Sequence, residues 1–436
     1  MTARPTYPNE ILLRCLSVPV KATVTLPGSK SITNRALIIA ALATGTTHLS
    51  GVLQSDDTEV MQAALAEVGV DITTVSDTEL TVHGVAGRFA APKTKTIQIG
   101  NSGTSVRFLT AALTQMPKTA SVTLDGVPRM RHRPIAPLMQ TLRQLGASIR
   151  DEYNTGCPPV TVTGGTLLGG AAEIDGTVSS QFLSAVMMVG PYADENVTLS
   201  ITGDLISKPY VDLTAGMMRE FGAHVEVSGY KSVQVRNDSR YIGREYAVEA
   251  DASNATYFMA AAAITGGTVT FANLSHRVAQ GDIRFIEVLE SMGCTVCKED
   301  TLSVTGPAKL RGINWNMEAI PDTAQTLAVL ACYASGPSHV TGLLSLRVKE
   351  TDRVSAVASE LRKLGAVVEE GADYWKITPA ADTTKPAAID TYDDHRMAMS
   401  FAVAGLVRSG VTINDPGCVA KTFPTFWDQW GALNRS

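Results

Sequence analysis

Two kinds of helical pattern alternate along the chain. One is Ala-rich and apolar on most faces: SITNRALIIAALATG, SGTSVRFLTAALTQ, SSQFLSAVMMVG, SNATYFMAAAAITGG, DTAQTLAVLACYASG and DHRMAMSFAVAGLVRSG. The other is amphipathic and closes on a glycine: DDTEVMQAALAEVGV, RPIAPLMQTLRQLGA, KPYVDLTAGMMREFGA, GDIRFIEVLESMGC, TDRVSAVASELRKLGA and a shortened KTFPTFWDQWGAL. A helix with no polar face belongs in an interior, and a terminal glycine suits the left-handed helix cap. The closing residues Gly69, Gly146, Gly222, Gly293 and Gly365 are 77, 76, 71 and 72 residues apart, so one unit repeats six times, the last only loosely. Strand-like runs such as TVTF after Gly267 follow the apolar helices. The pattern predicts an α/β fold with helices inside and sheets outside, the inverse of the usual layered plan.

Polar chemistry gathers where the apolar helices begin, near Ser31, Ser102, Ser180, Asn254, Asp322 and Asp394. Helix caps account for much of this, since each contributes about 1 kcal/mol. They do not account for Lys30, Arg35, Arg107, His395 and Arg396, because a cation at a helix N-terminus opposes the macrodipole unless an anion is bound there. In LPGSKSITNR, Ser31 is the expected cap; alone, the segment reads equally as a solvated helix start. If the repeats set their helices parallel, these N-termini open toward one anion-binding region.

Further clusters lie beyond the helix starts. PRMRHRP, residues 128–134, carries three arginines suited to bidentate phosphate or carboxylate recognition. In RVKETDR, Glu350 and Arg353 stand three apart and taken alone read as a helix-face ion pair. In DDHRMAM, Asp394 is placed to cap while His395 and Arg396 face whatever lies off the helix end; Lys421 follows in CVAKTFP. Asp322, in AIPDTAQT, is either a cap or a carboxylate base among cations.

Length and composition narrow the reading. A chain of 436 residues exceeds one usual core, so two domains are expected. A net charge of −5 argues against general nucleic-acid binding, and the apolar runs are too short for a bilayer span. MTARPTYPNE lacks an apolar signal core, which points to the cytoplasm. Of six cysteines only Cys294 and Cys297 are close, and one C-x-x-C without a second pair is weak evidence for zinc or redox chemistry. Phosphate-loop, dinucleotide, nucleophile-elbow and zinc-helix motifs are missing from the sequence. Neither cofactor nor metal is expected; many cations, a few carboxylates and abundant hydroxyls suit a reaction between two small anions.

In order along the chain, LPGSKSITNRAL, GNSGTSVRFL, PRMRHRPI, VSSQFL, GDLISKPY, GDIRF, RVKETDR, DDHRMAM and AKTFP closely resemble the 5-enolpyruvylshikimate-3-phosphate synthase family of enolpyruvyl transferases, over about residues 22–426. The resemblance implies a two-domain inside-out α/β fold, each domain three βαβαββ units. One domain would be 28–247; the other, discontinuous, would be 1–27 with 248–436, and the active site would occupy the interdomain cleft. It implies transfer of the enolpyruvyl group of phosphoenolpyruvate to the 5-hydroxyl of shikimate 3-phosphate, by addition and elimination. The chain would act as a monomer on these two small molecules and would be of the glyphosate-sensitive bacterial and plant class. Carried over by motif, Lys30, Ser31, Arg35, Thr104, Ser179, Ser180, Gln181, Ser207, Tyr210, Asp322, Ser345 and Lys349 would hold shikimate 3-phosphate. Lys30, Asn101, Gly103, Arg133, Gln181, Arg353, His395, Arg396 and Lys421 would hold phosphoenolpyruvate. Asp322 and Glu350, with Lys30, would handle protons.

Two positions depart from the family pattern. Ser345 and Leu346 replace an Asn and an aromatic residue ahead of Arg347, and Phe108 replaces the usual Pro after Arg107, on the helix carrying Gly103 and Thr104. The related transferase that uses a UDP-amino sugar is the nearest alternative. It carries a reactive loop cysteine, for which Cys157 is the candidate by region. A non-catalytic anion-binding repeat protein is a second alternative, disfavoured because Asp322 and Glu350 would weaken anion affinity.

Overall fold

The computed structural model describes residues 5–299, 301–382 and 384–433. The chain divides into two compact units: Gly28–Glu249 forms one, and the segments before and after it form the other. Twelve α-helices alternate in character, as the pattern predicts. The apolar ones are α1 (Lys30–Leu42), α3 (Gly103–Ala112), α5 (Ser180–Val189), α7 (Ala252–Thr265), α9 (Ala324–Cys332) and α11 (His395–Gly405). The amphipathic ones are α2 (Asp56–Glu67), α4 (Ala136–Gln144), α6 (Pro209–Glu220), α8 (Phe285–Ser291), α10 (Arg353–Lys363) and α12 (Phe426–Ala432). Every residue of α3, α9 and α11 is buried. In α1 and α5 the one residue not buried is polar and in the first turn, Ser31 and Gln181 respectively. Within each unit the three apolar helices pack on one another, α3 against α1 and α5, and α11 against α7 and α9. Their many alanines keep that approach close.

The helices α3, α5, α9 and α11 each join two parallel strands, and the amphipathic helices α2, α4, α6, α8 and α10 each lead into an antiparallel pair. Around α5, Gly170–Asp175 runs parallel to Val197–Thr202, which pairs antiparallel with Ser232–Val235, itself antiparallel to Val225–Ser228. In Val197–Thr202 the buried residues are Val197, Leu199 and Ile201, the period-2 alternation of a sheet covered on one face. The sheets around α3 and α9 repeat this order. The sheet around α1 takes its first strand, Glu245–Ala247, from the far end of the same unit. The sheet around α7 takes Lys21–Val24, which precedes α1 in the chain.

The loose sixth repeat has a structural reason. Ala387–Ile389 and Val411–Asn414 flank α11 in parallel, but the third strand of that sheet is Glu10–Leu12, antiparallel to Val411–Asn414. The start of the described chain therefore supplies an edge that a strand after α12 would otherwise provide. All five periodic glycines adopt positive φ, from +86° at Gly365 to +104° at Gly293. That conformation satisfies the carbonyls at the end of each amphipathic helix and is strained for any residue with a Cβ.

Several caps lie one to three residues from where the pattern puts them. Ser29, not Ser31, occupies the cap position of α1, and Ser31 is the second helical residue. Ser179 caps α5 and Asp251 caps α7, each side chain accepting from a first-turn amide. Ser102 and Asp394 cap α3 and α11 as expected. Asp322 sits in a 3-10 turn, Pro321–Thr323, just before α9, whose cap position is Thr323. Among the described residues no helix is long and apolar enough to cross a membrane.

Candidate active site

In the unit Gly28–Glu249 the first turns of α1, α3 and α5 carry a linked set of polar groups. Lys30 opens α1, is largely buried, and places Nζ 3.3 Å from Asp57 Oδ2 in the first turn of α2. Arg35 lies one turn further in and is almost fully buried. Its Nε donates to Thr214 Oγ1 at 2.8 Å, Nη1 to the Ser31 carbonyl at 3.0 Å and Nη2 to Ser184 Oγ at 3.4 Å. The Phe108 and Tyr210 rings flank its guanidinium, with centroids 5.1 and 5.6 Å from Cζ. Burial pulls the Arg35 guanidinium down to about 10, with Tyr210 and Tyr246 opposing the shift. It remains a cation at neutral pH.

The start of α3 is tied to its neighbours by two arginines. Arg133 is the only buried arginine of PRMRHRP, and its Nη1 donates to the Asn101 carbonyl at 2.8 Å and to Asn101 Oδ1 at 3.3 Å. Its guanidinium lies against Gly103 so closely that a Cβ there would fall 2.3 Å from Nη2. Only glycine leaves that space. Arg131 is exposed and paired with Asp125, so it does not join the group. Arg107 Nη1 donates to Gln181 Oε1 at 2.6 Å, and Gln181 Nε2 donates to Thr104 Oγ1 at 3.3 Å, joining α3 to α5. Ser180 and Ser207 are buried nearby in sequence, Ser207 at φ +51° just before α6, whose Tyr210 meets Arg35.

The second unit centres on Arg353, the first residue of α10. Its guanidinium contacts three carboxylates: Asp394 through Nε at 2.6 Å and Nη2 at 3.1 Å, Glu350 through Nη2 at 2.8 Å, and Asp322 through Nη1 at 3.0 Å. Burial alone would lower the Arg353 pKa; Asp394, Glu350 and Asp322 outweigh it and raise it. The Glu350–Arg353 pair is thus buried and part of a network, not a solvated helix-face pair. Asp322 accepts from Arg353, lies 3.4 Å from Lys349 Nζ, and receives Arg396 Nη2 at 3.2 Å. Arg396 also donates to the Tyr257 hydroxyl at 3.2 Å, and burial pushes that phenol up to about 12. His395 is buried with Nδ1 3.5 Å from Asp394 Oδ1. Lys421 ends the 3-10 helix Pro416–Lys421 and is buried. Its charge reaches Asp393, whose carboxyl burial raises and Lys421 partly restores.

Each unit therefore collects cations at helix starts, and the second adds two carboxylates, Asp322 and Glu350, held on one guanidinium. Asp57, Tyr257 and the double contact of Asp394 with Arg353 escape sequence reasoning. An acidic first turn of α2 reads as dipole compensation, and Tyr257 reads as core. Among the described residues, no group of three or more His, Cys, Asp or Glu could hold a metal ion. Cys294 is buried in the core with its thiol pushed up to about 12, while Cys297 is exposed on the strand Thr295–Lys298.

A family model described as EPSP synthase (3-phosphoshikimate 1-carboxyvinyltransferase) matches residues 16–430. The chain belongs to the EPSP synthase family. A 3-phosphoshikimate 1-carboxyvinyltransferase of Shewanella pealeana is 44% identical over 95% of this chain and 97% of its own length, and one of Vibrio atlanticus is 45% identical with the same coverage. An EPSP synthase structure from Acinetobacter baumannii superposes with a TM-score of 0.79 at 29% identity, covering 97% of this chain and 98% of that one. The enolpyruvyl transferase NikO from Streptomyces tendae shares the fold, with a TM-score of 0.76 at 17% identity and 97% coverage of both chains.

The departures from the family pattern fall in telling places. Phe108 is fully buried and its ring flanks Arg35. Leu346 is fully buried in the 3-10 helix Leu344–Val348, while Ser345 beside it is half-buried. Burial raises the Cys157 thiol, which disfavours the thiolate a reactive loop cysteine needs.

Proposed function

We propose that this chain transfers the enolpyruvyl group of phosphoenolpyruvate to the 5-hydroxyl of shikimate 3-phosphate, releasing inorganic phosphate, as a cytoplasmic monomer that needs no cofactor. The observation that carries the reading is the Arg353 cluster. Two carboxylates suited to proton transfer, Asp322 and Glu350, sit on a guanidinium whose neighbours Lys349 and Arg396 are also cations. A binding protein for anions gains nothing from carboxylates in that position, whereas an addition–elimination needs both a base and an acid.

Shikimate 3-phosphate would be held by Ser31, Arg35, Thr104, Ser179, Ser180, Gln181, Ser207 and Tyr210 of one unit, with Asp322, Ser345 and Lys349 of the other. Phosphoenolpyruvate would be held by Lys30, Asn101, Gly103, Arg133 and Gln181, with Arg353, His395, Arg396 and Lys421. Each unit thus supplies groups for both substrates.

In the addition, Asp322 takes the proton of the 5-hydroxyl as its oxygen bonds to C2 of phosphoenolpyruvate, and Glu350 delivers a proton to C3, which becomes a methyl group. In the elimination, C3 returns a proton to Glu350, the C2–O bond to phosphate breaks as the phosphate leaves with the proton Asp322 took, and the vinyl double bond re-forms. Lys30, close to Asp57, would partner the phosphate or a proton in transit. Phosphate release measured with phosphoenolpyruvate and shikimate 3-phosphate tests the proposal. Release only with UDP-N-acetylglucosamine would assign the amino-sugar reaction instead, and release with neither would make this a binding protein.

A further inference from the structure

The segment that leads into α11 is strained and externally fastened. Tyr392 and Asp393 both adopt left-handed backbone conformations, φ +55° and +54°, directly before Asp394, His395 and Arg396. Two consecutive non-glycine residues in that region are strained and persist only where other contacts fix them. Asp394 has two tasks there, capping α11 and binding Arg353.

Two of the contacts that fix the turn come from one fully buried carboxylate on α10. Glu360 Oε1 accepts from the Tyr392 hydroxyl at 2.7 Å and Oε2 accepts from the Asp390 amide at 3.1 Å. Lys363 Nζ lies 2.8 Å from Glu360 Oε2 and 2.7 Å from Asp390 Oδ2, and so balances the buried charge. Asn414 donates to the other Asp390 oxygen at 2.7 Å. Glu360 stands seven residues after Arg353, two helical turns along the same buried face of α10. One helix face therefore grips the turn twice, through Arg353 at Asp394 and through Glu360 at Asp390 and Tyr392.

We propose that Glu360, with Tyr392, is a positioning residue for the phosphoenolpyruvate site: it holds the 390–394 turn in its strained form and so aims Arg396 and His395 at the substrate anion. The inference rests on the reading that Arg396 contacts that anion. Neither Glu360 nor Tyr392 touches substrate in this scheme. Their loss lets the turn relax, moves the Arg396 backbone, and weakens phosphoenolpyruvate binding while leaving the Arg35 side of the shikimate 3-phosphate site intact.

The test compares Y392F, E360Q, their double variant and R396A in the full chain, with KM for each substrate, kcat and the melting temperature measured for all. Y392F removes one hydroxyl without opening a cavity, so it reports even if E360Q folds poorly. We expect Y392F and E360Q each to raise KM for phosphoenolpyruvate about three- to tenfold, the net scale of one ordinary hydrogen bond, with KM for shikimate 3-phosphate changed less than about twofold. The double variant is expected to show less than the product of the single effects, because both act through one turn. A lower melting temperature with both KM values unchanged, or the two KM values rising together, overturns the inference while the anion-site reading stands. An unchanged KM for phosphoenolpyruvate in R396A overturns that reading, and the positioning role with it.

Discussion

Arg353 and Gly103 show how single residues hold the two sets of site groups. The Arg353 guanidinium is buried against three carboxylates, so removing it leaves their charges without their shared partner. Breaking a buried ion-pair network from one side costs about 3–5 kcal/mol, and R353A is expected to lower stability by that amount in the unit that contains it, read by denaturant unfolding. R353K keeps the charge but not the fork, and is expected to recover only part of the loss. Gly103 works by what it lacks. Its Cα faces the Arg133 guanidinium, and in G103A that guanidinium, the far end of a flexible side chain, must shift from where it bonds Asn101. We expect G103A to raise KM for phosphoenolpyruvate about tenfold or more, the scale of losing a charge-assisted hydrogen bond, with stability nearly unchanged. A KM equal to that of the parent would show that Arg133 does not face that substrate.

At the scale of elements, the repeat supplies the same device six times: a buried helix whose first turn is polar, followed by an amphipathic helix that closes on a turn. The period of the closing glycines was legible because left-handed caps need that residue, and all five adopt positive φ. Cap positions were less legible. Ser29 competes with Ser31, and Asp251 with Asn254, and all are acceptable cap types, so tertiary packing chooses between them. The setting of RVKETDR is hidden for a related reason: an i, i+3 Glu–Arg spacing looks the same whether the pair is solvated or buried, and only Asp322 and Asp394, far away in sequence, make it a network. The cap of α10 gives a test at this scale. Asp352 accepts from the Val354 and Ser355 amides at 3.1 and 3.2 Å. D352A is expected to cost about 1 kcal/mol by denaturant unfolding. Its bridge to Arg347 is partly solvated and adds little.

At the scale of the whole molecule, the inside-out plan was legible from helices with no polar face, but the closure of the sheets was not. Glu10–Leu12, Lys21–Val24 and Glu245–Ala247 each complete a sheet whose other strands lie far along the chain, and no local pattern announces such pairing. The same plan wholly or partly buries phenols in both units. Tyr192, Tyr241 and Tyr246 in one, and Tyr257 and Tyr333 in the other, are all raised above the ordinary tyrosine range, with burial the leading cause in each. In the unfolded chain these groups ionise near pH 10. Between that value and their higher folded values the native state holds more protons than the unfolded one, so stability falls as pH rises. The contribution is complete below about pH 10 and is lost above it. Tyrosinate absorbance is therefore expected to rise in two stages on alkaline titration: phenols open to solvent ionise first and reversibly, and the buried set ionises only as the units unfold. Y257F is expected to delay that second stage in its own unit. A single reversible stage that includes all the tyrosines would mean that the buried phenols reach solvent without unfolding, and would contradict the packing that puts the helices inside.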